Sequence, residues 1–222
     1  FELMNGRIAS KSSLVRKKIG THNYAVVRCV ANVTKVWDLR RFPLDSHVLT
    51  LEVEDSASDE RGLRYVEDTE NAGINDALEI PGWAVGTRHG AVARKVYHTN
   101  YGDRSMPSKG ESAYSRYVFS LDISRPGYGR FVKVLFGLFI AVVVSWGSFF
   151  VRPKDTSPRV SLGVGSAFAA AAFTVTINNA LPDTNALTMA DQLVILSLGS
   201  IVLTIAVSIT SIRLFERGRE DI

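Results

Sequence analysis

The sequence of 222 residues has a single cysteine, Cys29, which excludes an intrachain disulfide and a cysteine-based zinc site. We expect Cys29 to act as a small buried hydrophobic residue. The motifs HExxH, GxSxG and the Walker phosphate loop are absent, and the four histidines are not spaced as metal ligands. The sequence therefore predicts no enzyme, no metal site and no cofactor.

An excess of basic charge is also missing. The formal net charge is only +4, and Lys and Arg are interspersed with acids except at Arg16-Lys17-Lys18. This pattern gives no indication of nucleic-acid binding.

Charge is almost absent from the C-terminal part of the chain. Residues 131–215 hold eight of the 48 charged residues, whereas residues 1–130 hold 35. Three runs there carry no charge at all: Val134–Val151, Val160–Ala180 and Gln192–Ile212. Each is close to the about 20 residues that a helix needs to cross a bilayer. We expect three transmembrane helices rather than the buried core helices of a large soluble protein.

The N-terminal part shows the alternation of β-strands instead. The clearest segments are Tyr24–Val36, Val48–Val53, Trp83–Tyr97 and Tyr114–Ile123, with turn-forming residues between them. They predict an antiparallel β-sandwich of about five or six strands. Because such a sandwich usually has about seven strands or more, we expect the first strand or two to be missing from this chain.

The basic residues between the apolar runs predict the orientation. The link Arg152–Arg159 holds three basic residues, whereas the link that follows Ala180 holds none. The positive-inside rule places the first link in the cytoplasm and the N-terminal domain outside. The predicted boundaries are 1–125 for the outer sandwich, 126–215 for a membrane domain with helices at about 129–151, 159–180 and 189–215, and 216–222 for a cytoplasmic tail.

The second apolar run is rich in small and hydroxyl side chains. Such residues are typical of an interior packing helix, or of a helix with one face on a water-filled pore. Helical spacing of three and four residues places one stripe on a single face. It comprises Ser161, Gly165, Phe168, Ala172, Val175 or Thr176, and Asn179. Its polar ends and bulky apolar centre favour a pore that is gated by dewetting.

One segment is specific enough to suggest a family. Residues 37–49, WDLRRFPLDSHVL, resemble the signature loop of pentameric ligand-gated ion channels. Lys35 and Leu49 stand where eukaryotic members have the two loop cysteines, as in prokaryotic members of this Cys-loop receptor family. Further resemblances follow in family order and cover nearly the whole chain: Phe1–Asn5, Asp122–Arg125, Ser145-Trp146, Arg159–Leu162, Leu181-Pro182 and Asp191–Ile201.

The resemblance implies a homopentamer in a bacterial inner membrane. Each subunit would pair an outer sandwich with four helices, of which the fourth is not in this chain. A small agonist, with protons or Ca²⁺ as modulators, would bind between sandwiches and open a pore for inorganic ions. The partners would be four identical subunits and membrane lipid, without nucleic acid. The alternative is a non-conducting membrane sensor or scaffold with an exported β domain.

The resemblance also assigns residues to roles. The second helix would line the pore with the stripe named above, and Phe168 would form the gate. Pro158 and Arg159 resemble anion-selective members, which favours an anion-selective or poorly selective pore. The residues that would couple the outer domain to the membrane helices are Phe42, Pro43, Asp45, Arg125, Leu181 and Pro182, with Asp45 and Arg125 as an ion pair. Ligand binding falls to Glu54, Asp55, Tyr97, Tyr101 and Tyr114.

Overall fold

The computed structural model describes residues 1–99, 111–179 and 186–220. The chain divides into two compact units. The first contains the strands, and the second contains the helices together with the segment Asp38–Asp45. The predicted order of a β-sandwich-like region followed by three helices long and apolar enough to cross a membrane is confirmed.

The first unit contains eight described strands in three antiparallel sheets. A four-stranded sheet has the order β1-β6-β8-β7, and the pairs β2-β5 and β3-β4 form two small sheets. The strands are β1 Glu2–Leu3, β2 Gly6–Lys11, β3 Val15–Ile19, β4 His22–Val26, β5 Cys29–Val33, β6 Ser46–Glu54, β7 Ala84–Tyr97 and β8 Ser112–Ser124.

The segment predicted as one strand, Tyr24–Val36, is in fact two strands with different partners. Its first part is β4, which pairs with β3 across a two-residue turn where Gly20 has a φ of +58°. Such turns require positive φ, which glycine adopts at little cost. Its second part is β5, which pairs with β2. Cys29 opens β5 and is only partly buried, unlike the expected core residue.

The second unit contains three long helices. They are α1 Gly129–Trp146, α2 Thr156–Asn179 and α3 Met189–Glu220, and a short 3₁₀ helix, Gly147–Phe150, follows α1. Leu135, Leu138, Ala170 and Ile201 lie in its buried core, where Phe42 of the segment Asp38–Asp45 also packs.

The helix ends differ from the predicted ones for local reasons. The regular helix α1 ends at Trp146, because the chain tightens into the 3₁₀ turn that begins at Gly147. The helix α2 begins at Thr156, ahead of Pro158, because proline is tolerated in the first turn of a helix. The helix α3 continues to Glu220, beyond the apolar run, because hydropathy marks the span and not the end of the helix.

Candidate pore face, loop contacts and ligand pocket

The helix α2 has one packed face and one exposed face. A Cβ placed on Gly163 would lie 2.6 Å from Cγ1 of Ile205, so glycine lets α2 approach α3 closely at this point. The buried residues are Arg159, Gly163, Ser166, Ala170 and Ile177. The exposed residues include every predicted pore-lining position: Ser161, Gly165, Phe168, Ala172, Val175, Thr176 and Asn179. The predicted stripe therefore contributes little to packing within this unit.

Phe168 is the largest side chain of the stripe. It is 74% exposed, although it lies in the middle of an apolar span. Gly165, one turn earlier, has open space around it. The Thr176 hydroxyl donates to the carbonyl oxygen of Ala172 over 3.3 Å, so this polar group is satisfied within the helix. The exposed face thus presents one large aromatic side chain, Phe168, between smaller residues.

The two residues predicted to set ion selectivity point in different directions. Pro158 is exposed, whereas Arg159 is only 5% exposed. The Nη1 group of Arg159 donates to the Ser211 hydroxyl of α3 over 3.3 Å. Arg159 therefore lies on the packed face of α2 and not on the exposed stripe.

The segment Asp38–Asp45 supplies hydrogen-bond acceptors to the first turn of α3. The N–H groups of Met189 and Ala190 donate to the carbonyl oxygens of Arg40 and Phe42 over 2.9 and 3.2 Å. The first N–H groups of a helix have no acceptor within it, so these bonds satisfy donors that would otherwise need water. The loop is thereby bonded directly to the start of α3.

The same helix start carries a capping box. The Thr188 hydroxyl accepts from the N–H of Asp191 over 3.1 Å, and the Asp191 carboxylate accepts from the N–H of Thr188 over 2.9 Å. Of the residues predicted to couple the domains, Phe42 and Pro43 are buried beside this turn. Leu181 and Pro182 lie outside the described residues.

The predicted partners Asp45 and Arg125 are in contact. The Nε of Arg125 donates to Oδ1 of Asp45 over 3.2 Å, and the N–H of Arg125 donates to the carbonyl oxygen of Asp45 over the same distance. The side chains are 1% exposed for Asp45 and 11% for Arg125. The contact is a buried ion pair, in which the loss of one partner is costly.

A cavity in the first unit gathers three of the predicted ligand-binding residues. Glu54, Tyr97 and Tyr114 line a space of about 340 Å³. The rings of Tyr97 and Tyr114 pack edge to face, with their centroids 5.7 Å apart. The remaining lining residues are Glu2, Met4 and Ser56. Asp55 does not line this cavity, and Tyr101 lies outside the described residues.

Sequence reasoning missed the residue that organises this pocket, Arg116. It donates to Glu54 over 3.0 Å, to Glu52 over 2.5 Å and to the Tyr97 hydroxyl over 2.7 Å. Burial disfavours its charge, but the hydrogen bond to Glu54 and the charges around it outweigh burial and raise the pKa of Arg116. Tyr114 and Arg116 are two residues apart on β8, so strand periodicity already places them on one face.

Asp55 directly follows Glu54, the last residue of β6. Burial, followed by the nearby carboxylates of Asp55 and Glu54, raises the pKa of Tyr65. Across the described ranges, no group of three His, Cys, Asp or Glu side chains is placed to hold a metal ion.

The second unit thus holds an apolar span with an exposed stripe and a loop bonded to the start of α3, and the first unit holds a charged pocket. No family model matches the chain. It is 26% identical over 180 residues to a proton-gated ion channel of Gloeobacter violaceus, covering 81% of this chain and 46% of that protein. It is 28% identical over 160 residues to a gamma-aminobutyric acid receptor subunit beta-like protein of Drosophila melanogaster, covering 70% and 29%.

These relatives confirm the resemblance to pentameric ligand-gated ion channels. The chain spans less than half the length of the two relatives.

Proposed function

We propose that the chain forms part of a pentameric ligand-gated ion channel subunit, with α2 lining the pore. The observation that carries this proposal is the exposed stripe of α2, whose opposite face packs within the unit. Packing of α2 against α1 and α3 does not account for Ser161, Gly165 and Ala172, because these small residues are exposed. Five copies around an axis would instead place the stripe along an aqueous path.

The gate in this proposal is a ring of Phe168 side chains. A narrow apolar ring expels water and so blocks ions without a mechanical plug. The 74% exposure of Phe168 in the isolated subunit supports the assignment, because its ring is not used for packing there. Ser161 and Gly165 would line the wet cytoplasmic half, and Ala172, Val175 and Asn179 the outer half.

The conducted ion is proposed from the start of α2. Pro158, not an acid, stands at the exposed position directly before Arg159, which fits an anion-selective or poorly selective pore. Because Arg159 is buried, the poorly selective alternative gains support from the structure. A small displacement of the reversal potential in asymmetric NaCl is the expected result.

The ligand is proposed from the charge of the pocket. Glu2 and Glu54 line the pocket, and Glu52 adjoins it. The basic residue Arg116 donates hydrogen bonds to Glu52 and Glu54. This excess of carboxylates favours a positively charged agonist, either protons or a small cation whose charge faces the Tyr97 and Tyr114 rings. One relative carries the name of a proton-gated channel, which fits the first alternative.

The setting proposed for the channel is a bacterial inner membrane. The subunit would be one of five identical copies, with residues 1–125 outside and the link Arg152–Arg159 in the cytoplasm. The distribution of basic residues between the spans supports this orientation. The buried Asp45–Arg125 pair and the loop bonds to α3 are proposed to carry the agonist signal to the helices.

The deciding experiment records current across a planar bilayer that contains the purified full-length protein. We expect agonist-dependent current in the wild type and increased agonist-free current in Phe168→Val, because valine is smaller and leaves a wider apolar ring. Phe136→Val is the matched control, since Phe136 is an exposed phenylalanine of α1.

Two outcomes would count against the proposal. Equal agonist-free currents in Phe168→Val and wild type would show that Phe168 does not form the gate. A protein that is folded and pentameric but never conducts, under acid or any cation tested, would favour the non-conducting sensor or scaffold.

A further inference from the structure

The start of α2 holds a buried positive charge whose hydrogen bonds are incomplete. Arg159 is 5% exposed, and it forms no ion pair with a carboxylate in the part of the chain that the structure describes. Its Nη1 donates to the Ser211 hydroxyl, but its Nε has no acceptor in the described part of the chain. A guanidinium has five N–H donors and is always charged, so its buried Nε–H leaves a charged donor unsatisfied.

Such an arrangement is unfavourable unless an anion completes it. A buried unpaired charge forfeits its hydration without compensation. The location adds to this cost, because Arg159 is the fourth residue of α2 and lies beside the positive end of the helix dipole. The first turn contains no acidic residue, and its N–H groups lack helical acceptors.

The surroundings indicate which anion could reach the guanidinium. Three residues of helix span about 5 Å, so Arg159 lies near the end of the span, at the depth of lipid headgroups. The preceding link adds the exposed Arg152 and Lys154, which attract anions from the membrane surface. Arginine and a hydroxyl are suited to phosphate, whose oxygens accept several hydrogen bonds at once.

We infer that Arg159, the Ser211 hydroxyl and the first turn of α2 form a binding site for a phosphate oxyanion. The shared chemistry admits two sources, the headgroup of an anionic phospholipid and free inorganic phosphate. The site lies on the packed face of α2, and so it does not depend on ion conduction or on the proposed pore.

The test measures ligand-dependent stabilisation of the purified full-length protein in detergent. One series adds phosphatidylglycerol, a second adds phosphatidylcholine, and a third adds inorganic phosphate at constant ionic strength. A ligand that binds the folded state raises the unfolding midpoint in proportion to its affinity. We expect phosphatidylglycerol or phosphate to raise the midpoint of the wild type and phosphatidylcholine alone to leave it unchanged.

The variants locate the site. Arg159→Gln should weaken binding about tenfold or more, because charge-assisted hydrogen bonds are lost. Arg152→Gln removes the same charge from an exposed position and should change affinity less than about threefold. Ser211→Ala retains the charge, is expected to fold, and should weaken binding a fewfold.

A response to phosphatidylglycerol but not to phosphate identifies the lipid as the source, and the reverse identifies the free ion. The inference fails if neither ligand stabilises the wild type, or if Arg152→Gln weakens binding as much as Arg159→Gln. If Arg159→Gln does not fold, Ser211→Ala decides, and wild-type affinity in that variant would overturn the site.

Discussion

Removal of Arg125 tests how much the buried ion pair with Asp45 contributes to the stability of the second unit. Arg125→Ala takes the guanidinium from beside a carboxylate that is 1% exposed. Breaking a buried pair in this way costs about 3–5 kcal/mol. For a chain of 222 residues, 1 kcal/mol lowers the unfolding midpoint by about 2–4 °C, so we expect a loss of about 6–20 °C.

The same segment supplies a matched control. Arg40 and Asp38 also form an ion pair, with an Nη2–Oδ2 distance of 2.5 Å, but their side chains are 72% and 57% exposed. Exposed pairs are worth about 0.2–1 kcal/mol. Arg40→Ala should therefore lower the midpoint by less than about 4 °C, although it removes the same chemical group.

The assay is thermal unfolding of the purified full-length protein, monitored by size-exclusion chromatography with fluorescence detection. A double variant, Asp45→Asn with Arg125→Gln, separates the pair from general packing because it removes both charges together. We expect it to recover at least about half of the stability that Arg125→Ala loses. Equal losses in Arg125→Ala and Arg40→Ala, or no recovery in the double variant, would refute the reasoning.

Two further predictions concern helix packing and the pocket. A Cβ on Gly137 would lie 1.7 Å from Cζ of Phe173, so Gly137→Ala should destabilise the unit by about 1–3 kcal/mol in thermal unfolding. Gly199→Ala should leave the stability unchanged, because a Cβ there would meet open space. A smaller residue at position 173 should restore the stability that Gly137→Ala loses. Tyr97→Phe deletes the hydroxyl that contacts Arg116 and should shift the agonist dose–response curve at least about threefold, without changing the fully activated current. An unchanged dose–response curve would show that Tyr97 does not belong to the proposed ligand site.

Local sequence patterns were sufficient for the fold class. Hydropathy identifies a membrane-spanning helix because the bilayer acts on each segment separately. The alternation of Val48–Val53 and Tyr114–Ile123 likewise marks strands, since their side chains alternate between faces. The run Tyr24–Val36 was predicted as one strand because pairing with different neighbours leaves no local trace.

The candidate site was predictable only in part. Helical spacing predicted the stripe of α2, since residues three or four positions apart share a face. It could not tell that Arg159, two residues before Ser161, turns toward α3, because that depends on where Ser211 lies in the packed unit. Arg116 was missed because its partners Glu52 and Glu54 lie more than 60 residues earlier in the chain.

The sequence by itself determined the separation of a charged β region from uncharged helices, the number of spans and the loop that resembles a channel family. These features depend on composition and on short-range periodicity. The tertiary structure alone decided how far the predicted Asp45–Arg125 pair is buried, and which other distant residues meet: the carbonyls of Arg40 and Phe42 with the start of α3, and Arg116 with its carboxylates. Those contacts join distant segments, and their strength comes from burial, which a linear sequence does not contain.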